Sequence, residues 1–529
     1  MLSAKADNQS SNARAKTRFS FPNLQSLGAA LLSGLLLAAV FPKWDLTFLL
    51  PVALVPFFWA LRGQSLKHAF WLGMAAGLAH FSALLYWIVY VINVYGGLPL
   101  PLGVGVLLLL AGYLSLYRGL WAVGIAFAQD RGLNLLWFAP ALWTALELGQ
   151  THILFGGFPW ELLGYSLYRF PLLLQVADLT GVYGISFLVV LINAAFYLFL
   201  FPRLGGWSFR RFRPLAVTAL VLLVWLGYGY YRLGSLTEQI AAAPKHKVGV
   251  VQGNIKQGDK WNPQIVKDTL ERYRRLTSQV QGARLIVWPE TAAPFFFRPP
   301  SDLSRHLEAI ARESRGRLLF GSMNFEKNPS GERFANSAYL LDLQGQETGR
   351  YDKAHLVPFG EYVPLQRLLF FIPKLVPVIG DFATGPAGAT LPLPEGKVGP
   401  LICFESIFPG LSRAQVQNGA QLLVNITNDA WFGKTAAAYQ HMSMAVLRAV
   451  ENRVPLARAA NTGVSAFIGP DGRILWHSEL FVEAAHGLEI PWLPGGSFYA
   501  RFGDVFAWAC LLLSALGLVR VLTRRPPRS

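Results

Sequence analysis

Four side chains in the second half of this chain could do covalent chemistry together. Cys403 follows the apolar run Val398-Gly399-Pro400-Leu401-Ile402 and precedes Phe404-Glu405-Ser406. Glu290 closes Trp288-Pro289-Glu290, Lys353 lies in Tyr351-Asp352-Lys353, and Glu361 follows Pro358-Phe359-Gly360. A carboxylate close to a thiol can take its proton, and a nearby ammonium favours the thiolate and steadies a developing oxyanion. Glu361 is placed to orient the lysine or hold its charge. Taken one at a time, each glutamate or lysine reads as readily as a surface or ion-pair residue, and Cys403 as a buried core thiol. As an ordered Glu, Lys and Cys set at strand ends they point to an activated nucleophile.

Such a set needs a sheet to hold it. Residues 245–492 alternate strand-like and helix-like stretches, which predicts an α/β sandwich. Strands are expected at 247–251, 284–288, 318–321, 337–343, 398–403, 422–426 and 464–468, with helices at 264–279 and 303–314. Pro289 fixes the backbone where the chain leaves its strand, which puts the Glu290 carboxylate at the rim. Between 359 and 394 the pattern breaks down, and Pro364, Pro373, Pro377 and Pro386 flank an apolar tip at 369–375. That tip can be a lid, a lipid-dipping loop or a buried one.

The rest of the chain is a membrane protein. Hydrophobic residues make up 53% of the sequence, charged residues only 15%, and the mean hydropathy is +0.36; a soluble globular domain has a different balance. Apolar spans are read at 27–41, 46–61, 69–94, 98–128, 133–148, 171–201, 214–231 and 502–522, a count of about eight. The division is therefore an N-terminal transmembrane part over 1–244 with about seven helices, a polar domain over 245–492, and a C-terminal helix with a basic tail over 493–529. Basic residues of the short loops and tails (Lys5, Arg14, Arg62, Lys67, Arg131, Arg203, Arg210, Arg524) fall on alternate sides of these spans. With both ends cytoplasmic, the polar domain lies outside the cytoplasm.

The net charge of +17 does not call for nucleic acid. Residues 245–492 hold 27 Lys and Arg against 22 Asp and Glu, whereas the remainder holds 20 against 8, so the excess sits beside the membrane, where topology and anionic head groups explain it. Cys510, the other cysteine, lies in the last span, out of reach of a disulfide with Cys403. His355 and His441 belong to no spacing that closes a zinc shell, and the chemistry needs neither metal nor cofactor.

Trp288-Pro289-Glu290, Tyr351-Asp352-Lys353 and Cys403-Phe404-Glu405, with Asn425-Ile426-Thr427-Asn428-Asp429-Ala430-Trp431-Phe432 downstream, resemble the motifs of the nitrilase superfamily, the carbon–nitrogen hydrolases, over roughly 245–490. With spans on both sides, the whole chain resembles the apolipoprotein N-acyltransferase family. The resemblance implies an inserted nitrilase-like αββα sandwich in a polytopic α-helical membrane protein of the bacterial inner membrane, with the catalytic domain on the periplasmic side. It implies Glu290 as general base, Lys353 as oxyanion stabiliser and Cys403 as nucleophile, with Glu361 and Glu405 in support. Trp261 matches a position lining the substrate entrance and Asn336 a site residue; a core tryptophan and a turn asparagine are the competing readings. Phe404, read with Trp261 and Asn336 as substrate-binding, stands where a tyrosine is common. The implied reaction moves an acyl chain from a membrane phospholipid, phosphatidylethanolamine above all, through a thioacyl enzyme to the α-amino group of a diacylglyceryl apolipoprotein.

Gly157-Phe158-Pro159-Trp160-Glu161 also resembles a family motif, though its aromatics can equally anchor the membrane interface. The cluster Tyr86, Trp87, Tyr90 and Tyr95 reads most simply as an interfacial belt, though the same place would suit a phospholipid chain near the catalytic mouth. Two other functions use the same residues differently. A membrane-tethered amidase would pass the acyl group to water, but gives no reason for eight spans. A transporter or receptor would place polar groups inside the spans and leave Cys403 dispensable.

Overall fold

The computed structural model describes residues 22–202, 209–258, 260, 262–328, 331–363 and 382–523. The expected apolar tip at 369–375 lies outside them. Among the described residues four helices are long and apolar enough to cross a bilayer: Leu100–Asp130, Val182–Leu200, Phe209–Ala242 and Val505–Thr523. A fifth results if Leu66–Leu84 and Trp87–Tyr95, bent by 55°, are one span.

Several expected spans are not long continuous helices. Leu24–Ala39 has 16 residues. Leu135–His152 carries Pro140 in its interior. The 46–61 stretch is a 3-10 turn at Thr47–Leu49, further turns, and the six-residue helix Val55–Ala60. Pro51 and Pro56 interrupt the hydrogen-bond ladder there. Buried Asn193 compensates: its Oδ1 accepts from Leu54 N at 2.8 Å and its Nδ2 donates to Leu50 O at 2.7 Å, satisfying backbone that lipid could not. The 171–201 stretch is broken at Gly181, whose φ is +63°. Small residues let the helices touch, since a Cβ on Gly34 would strike the Ala76 carbonyl and one on Gly73 would lie 2.5 Å from the Arg118 carbonyl.

Between the spans the chain forms two stacked sheets. In the first, the strands follow the order Ala484–Pro491, Lys245–Gln252, Leu285–Val287, Arg317–Asn328, Gly331–Leu341 and Glu347–Asp352, and Ala293–Phe296 pairs with Arg317–Asn328. The second runs Ile474–His477, Ala466–Ile468, Leu456–Ala460, Ala420–Thr427, Gly396–Ile402 and Leu391–Leu393. The central pairs are parallel: Val248 opposite Leu285 and Leu285 opposite Arg317 in one sheet, Pro400 opposite Val424 in the other. Val250, Val287, Leu319 and Leu340 of the first sheet meet Val398, Ile402, Leu422, Val424 and Ala457 of the second in a dry interface. Continuous β-branched and leucine runs are what strands buried on both faces require.

Helices close both outer faces, giving four layers. Pro263–Thr277 and Asp302–Ser314 cover the first sheet through Leu270, Tyr273, Leu307 and Ile310. Pro409–Gln417 and Ala437–Asn452 cover the second. Every residue of Ala437–Asn452 but Tyr439 is buried, because its far side packs on the membrane helices; Met444, Val446 and Val450 share one core with Leu163, Leu174 and Ile185. At the end of that helix Arg453 adopts φ +57° and donates to Asp178 Oδ2 at 3.1 Å and Gln175 Oε1 at 2.6 Å. The two parts are bolted together by charge as well as by apolar contact.

Candidate active site

The second sheet delivers Cys403. Gly396–Ile402 is buried from Val398 on, and the chain then turns at once into the 3-10 helix Cys403–Ile407. Cys403 makes that turn with φ +53°, a left-handed conformation that costs a non-glycine residue about 1 kcal/mol or more and persists where its surroundings enforce it. They do so here. The Cys403 carbonyl receives Ser406 Oγ at 3.2 Å and lies 3.1 Å from His441 Nε2, while Glu405 Oε2 accepts from Ile402 N at 2.6 Å. Glu405 Oε1 reaches the other way, accepting from Ala354 N at 2.6 Å, His355 N at 3.1 Å and Tyr351 OH at 3.0 Å. One buried carboxylate thus ties the cysteine turn to the loop that carries Lys353.

The first sheet delivers the other groups. Glu290 follows the Leu285–Val287 strand, and Lys353 follows Glu347–Asp352 by one residue. Lys353 Nζ donates to Glu361 Oε1 at 2.9 Å, and both side chains are buried. Asn336, on the Gly331–Leu341 strand, donates through Nδ2 to Glu290 Oε1 at 2.7 Å and to Glu361 Oε1 at 3.2 Å. Glu290 Oε2 accepts from Asn428 N at 2.9 Å, and Glu361 Oε2 from Val357 N at 2.8 Å. Both carboxylates are therefore held by short neutral donors, and only Glu361 takes the Lys353 ammonium directly.

Burial sets the resting charges. Burial pushes the Cys403 thiol up and the Glu290 charge adds to this, while Lys353 pulls the other way; the resting group is a neutral thiol awaiting a base. Burial opposes the Lys353 charge, but Glu361, Glu290 and Cys403 outweigh it and hold the ammonium above the ordinary lysine value. Burial raises Glu405 to about 7 against the Ile402 amide and Lys353. Burial works against ionised Asp429 too, yet Arg458 and His441 draw it down to about 2. Asp429 Oδ1 lies 3.0 Å from His441 Nδ1, and the imidazole in turn buttresses the Cys403 carbonyl.

The structure thus gathers Glu290, Lys353, Cys403, Glu361, Glu405 and Asn336 into one site. Trp261 lies outside the described residues. Phe404 packs in an aromatic cluster, 6.3 Å from Phe158 and 6.5 Å from Trp160 between ring centres. Trp160 is not an interface anchor: it is 1% exposed, stacks on His441 at 5.7 Å and donates to Gln440 Oε1 at 2.9 Å. Trp87 is buried as well and donates to the same Gln440 oxygen at 3.1 Å, and Tyr95 OH donates to Ala430 O at 3.0 Å. Part of the expected interfacial belt is therefore a dock for the Asn428–Gln440 segment. Sequence reasoning missed Tyr351, His441 and Lys260. The last is 1% exposed and donates from Nζ to the Glu290 carbonyl at 3.0 Å; its one signal was a cation next to Trp261.

Two stacked sheets with a cysteine turn, a buried lysine and a carboxylate at strand ends define a carbon–nitrogen hydrolase domain, and the chain matches the family model described as carbon-nitrogen hydrolase over residues 247–484. Residues 33–195 match the apolipoprotein N-acyltransferase N-terminal domain. The chain is 46% identical over 495 residues to an apolipoprotein N-acyltransferase of Geobacter metallireducens, covering 92% of this chain and 93% of that protein. It is 34% identical over 511 residues to one of Gloeobacter violaceus, covering 94% of each. It belongs to the apolipoprotein N-acyltransferase family. Among solved structures, an amidase from Nesterenkonia sp. aligns with 49% of this chain and 95% of its own at 21% identity and a TM-score of 0.37.

Proposed function

We propose that this protein transfers a fatty acyl chain from a membrane phospholipid to the α-amino group of a lipoprotein's diacylglyceryl cysteine, through a thioacyl group on Cys403. Glu290 takes the Sγ proton, and the sulfur bonds to the ester carbonyl carbon. The electron pair moves onto the carbonyl oxygen, where the Lys353 ammonium stabilises it. Collapse breaks the C–O bond, and Glu290 returns its proton to the departing lysophospholipid oxygen. In the second half the amine nitrogen forms the C–N bond and yields a proton to Glu290, the C–S bond breaks, and the thiolate recovers that proton. Asn336 Oδ1, buried and without a hydrogen-bond partner among the described residues, is the acceptor for an N–H of the incoming amine.

The observation that carries this reading is the joint between site and membrane: Phe404, next to the nucleophile, packs on Phe158 and Trp160 of the helical part. A soluble amide needs no such floor, whereas two lipids in turn do. The donor is phosphatidylethanolamine, and the fine topology is eight crossings with both ends in the cytoplasm. Residues 245–492 then form a catalytic domain on the periplasmic side of the inner membrane, flanked by membrane parts at 1–244 and 493–529. The alternating Lys and Arg of the short loops support this orientation.

The test is intact-mass spectrometry of purified protein with phosphatidylethanolamine vesicles. An acyl adduct on Cys403 should form and be discharged by a diacylglyceryl peptide with a free amine. Full transfer by Cys403→Ala, or discharge by water far faster than by the peptide, would overturn the proposal.

A further inference from the structure

Glu290 carries the base's role in the reaction proposed above, yet among the described residues no cation bonds its carboxylate. Its two oxygens are held by Asn336 Nδ2 and Asn428 N, both neutral, while the Lys353 ammonium is spent on Glu361 at 2.9 Å. A carboxylate so buried, beside a sulfur that must become a thiolate, would leave the pocket one negative charge in excess.

Lys260 stands where that excess falls. It is 1% exposed, and its Nζ donates to the main-chain carbonyl of Glu290 at 3.0 Å, on the turn where Thr291 takes φ +49°. Burial draws this lysine down to about 8, and the Glu290 carboxylate, together with Cys403 once it is a thiolate, acts against that fall. The ammonium is thus within electrostatic reach of both partners of the proton transfer. Among the described residues the other charged groups around the sulfur are already matched: Lys353 with Glu361, and Asp429 with Arg458. Glu405 is saturated by Tyr351 and three backbone amides.

We infer that Lys260 is a positioning residue of this site, the second positive charge that balances Glu290 and lowers the cost of forming the Cys403 thiolate. It acts through Glu290, pinning that residue's carbonyl while its charge offsets the carboxylate before proton transfer and the sulfur after it. The inference rests on Cys403 being the nucleophile. It adds that two lysines divide the electrostatic work, Lys353 facing the oxyanion and Lys260 facing the base.

The experiment measures the rate of alkylation of Cys403 by iodoacetamide at pH 7, where Lys260 carries its charge, in detergent-solubilised full-length protein. A C510A background leaves Cys403 the one thiol. K260M should slow alkylation about tenfold, the equivalent of about one pH unit in the ionisation of the thiol, and lysophospholipid release should fall in parallel. K260R, which keeps the charge, should alkylate within about twofold of the parent. K260Q replaces K260M if the latter does not fold. An unchanged alkylation rate in the uncharged variant, even with slowed transfer, would overturn the inference and make the lysine only a strut for the Glu290 carbonyl. Absence of any acyl adduct in the parent protein would instead sink the acyl-transfer reading, and the alkylation rates would still decide the role of Lys260.

Discussion

The Lys353–Glu361 pair offers the sharpest test of how this site is held. Glu361→Gln keeps the shape and removes the charge. Glu361 Oε1 accepts from both Lys353 and Asn336, and Oε2 accepts from Val357 N, so wherever the new amide places its NH2 group, donor faces donor. Leaving a buried cation without its partner costs about 3–5 kcal/mol. Lys353→Met removes the other half and should cost a similar amount. If the two charges are matched chiefly to each other, the double variant will be less damaged than the sum of the singles, with a coupling of about 2–3 kcal/mol. For a domain of this size about 1 kcal/mol moves the melting temperature by about 2–4 °C. Glu361→Gln should therefore melt about 10 °C below the parent, and the double variant about 15 °C below it rather than the about 20 °C of strict additivity. The assay is thermal unfolding in detergent of all four proteins of the cycle. Strict additivity, or a Glu361→Gln protein as stable as the parent, would refute the account of a matched buried pair.

Other expectations follow from the same contacts. Lys353→Arg keeps the charge but replaces a compact ammonium by a planar fork in a buried slot, so acyl-adduct formation on Cys403 should fall by at least about tenfold; near-normal turnover would mean the residue only balances charge. Glu405→Gln sets an amide against the N–H groups of Ile402 and Ala354 and should cost about 1–3 kcal/mol in a thermal melt. Because Glu405 is raised to about 7, its contribution to stability is full below its ordinary value of 4.5 and is lost as pH rises through about 7; the variant should lack that part of the pH profile. Asp429 is drawn down to about 2, so its contribution is present above 3.8 and is lost as pH falls through about 2, a limb that Asp429→Asn should remove. Trp160→Ala should cost about 3–5 kcal/mol and slow acyl-adduct formation, since the indole packs on Phe404 and His441.

The sandwich was legible because its strands are short apolar runs bounded by glycine, proline and polar residues, and because Glu290, Lys353 and Cys403 each stand just past such a run. Position relative to a strand end is local information. The partners of Trp160 were not local: Gln440 and His441 are about 280 residues further on, and an aromatic near a membrane span looks the same whether it meets lipid or protein. Lys260 was hidden for a related reason, as a lysine in a polar loop reads as solvated until the fold closes over it. Hydropathy marks an apolar stretch but does not show whether it is one continuous helix. The 46–61 stretch is apolar throughout, yet Pro51 and Pro56 break it and a distant Asn193 repairs its backbone.

The helix Ala437–Asn452, buried at every position but Tyr439, makes the enzymatic half inseparable from its hydrophobic support. A fragment cut at 245 and 492 would present to water the face that Met444, Val446 and Val450 press against Leu163, Leu174 and Ile185, and Arg453 would lose Asp178 and Gln175. Such an excised piece should clump unless detergent or a substituted polar face covers it. The same helix carries His441 against the Cys403 carbonyl, so one element touches both the membrane helices and the turn that holds the sulfur.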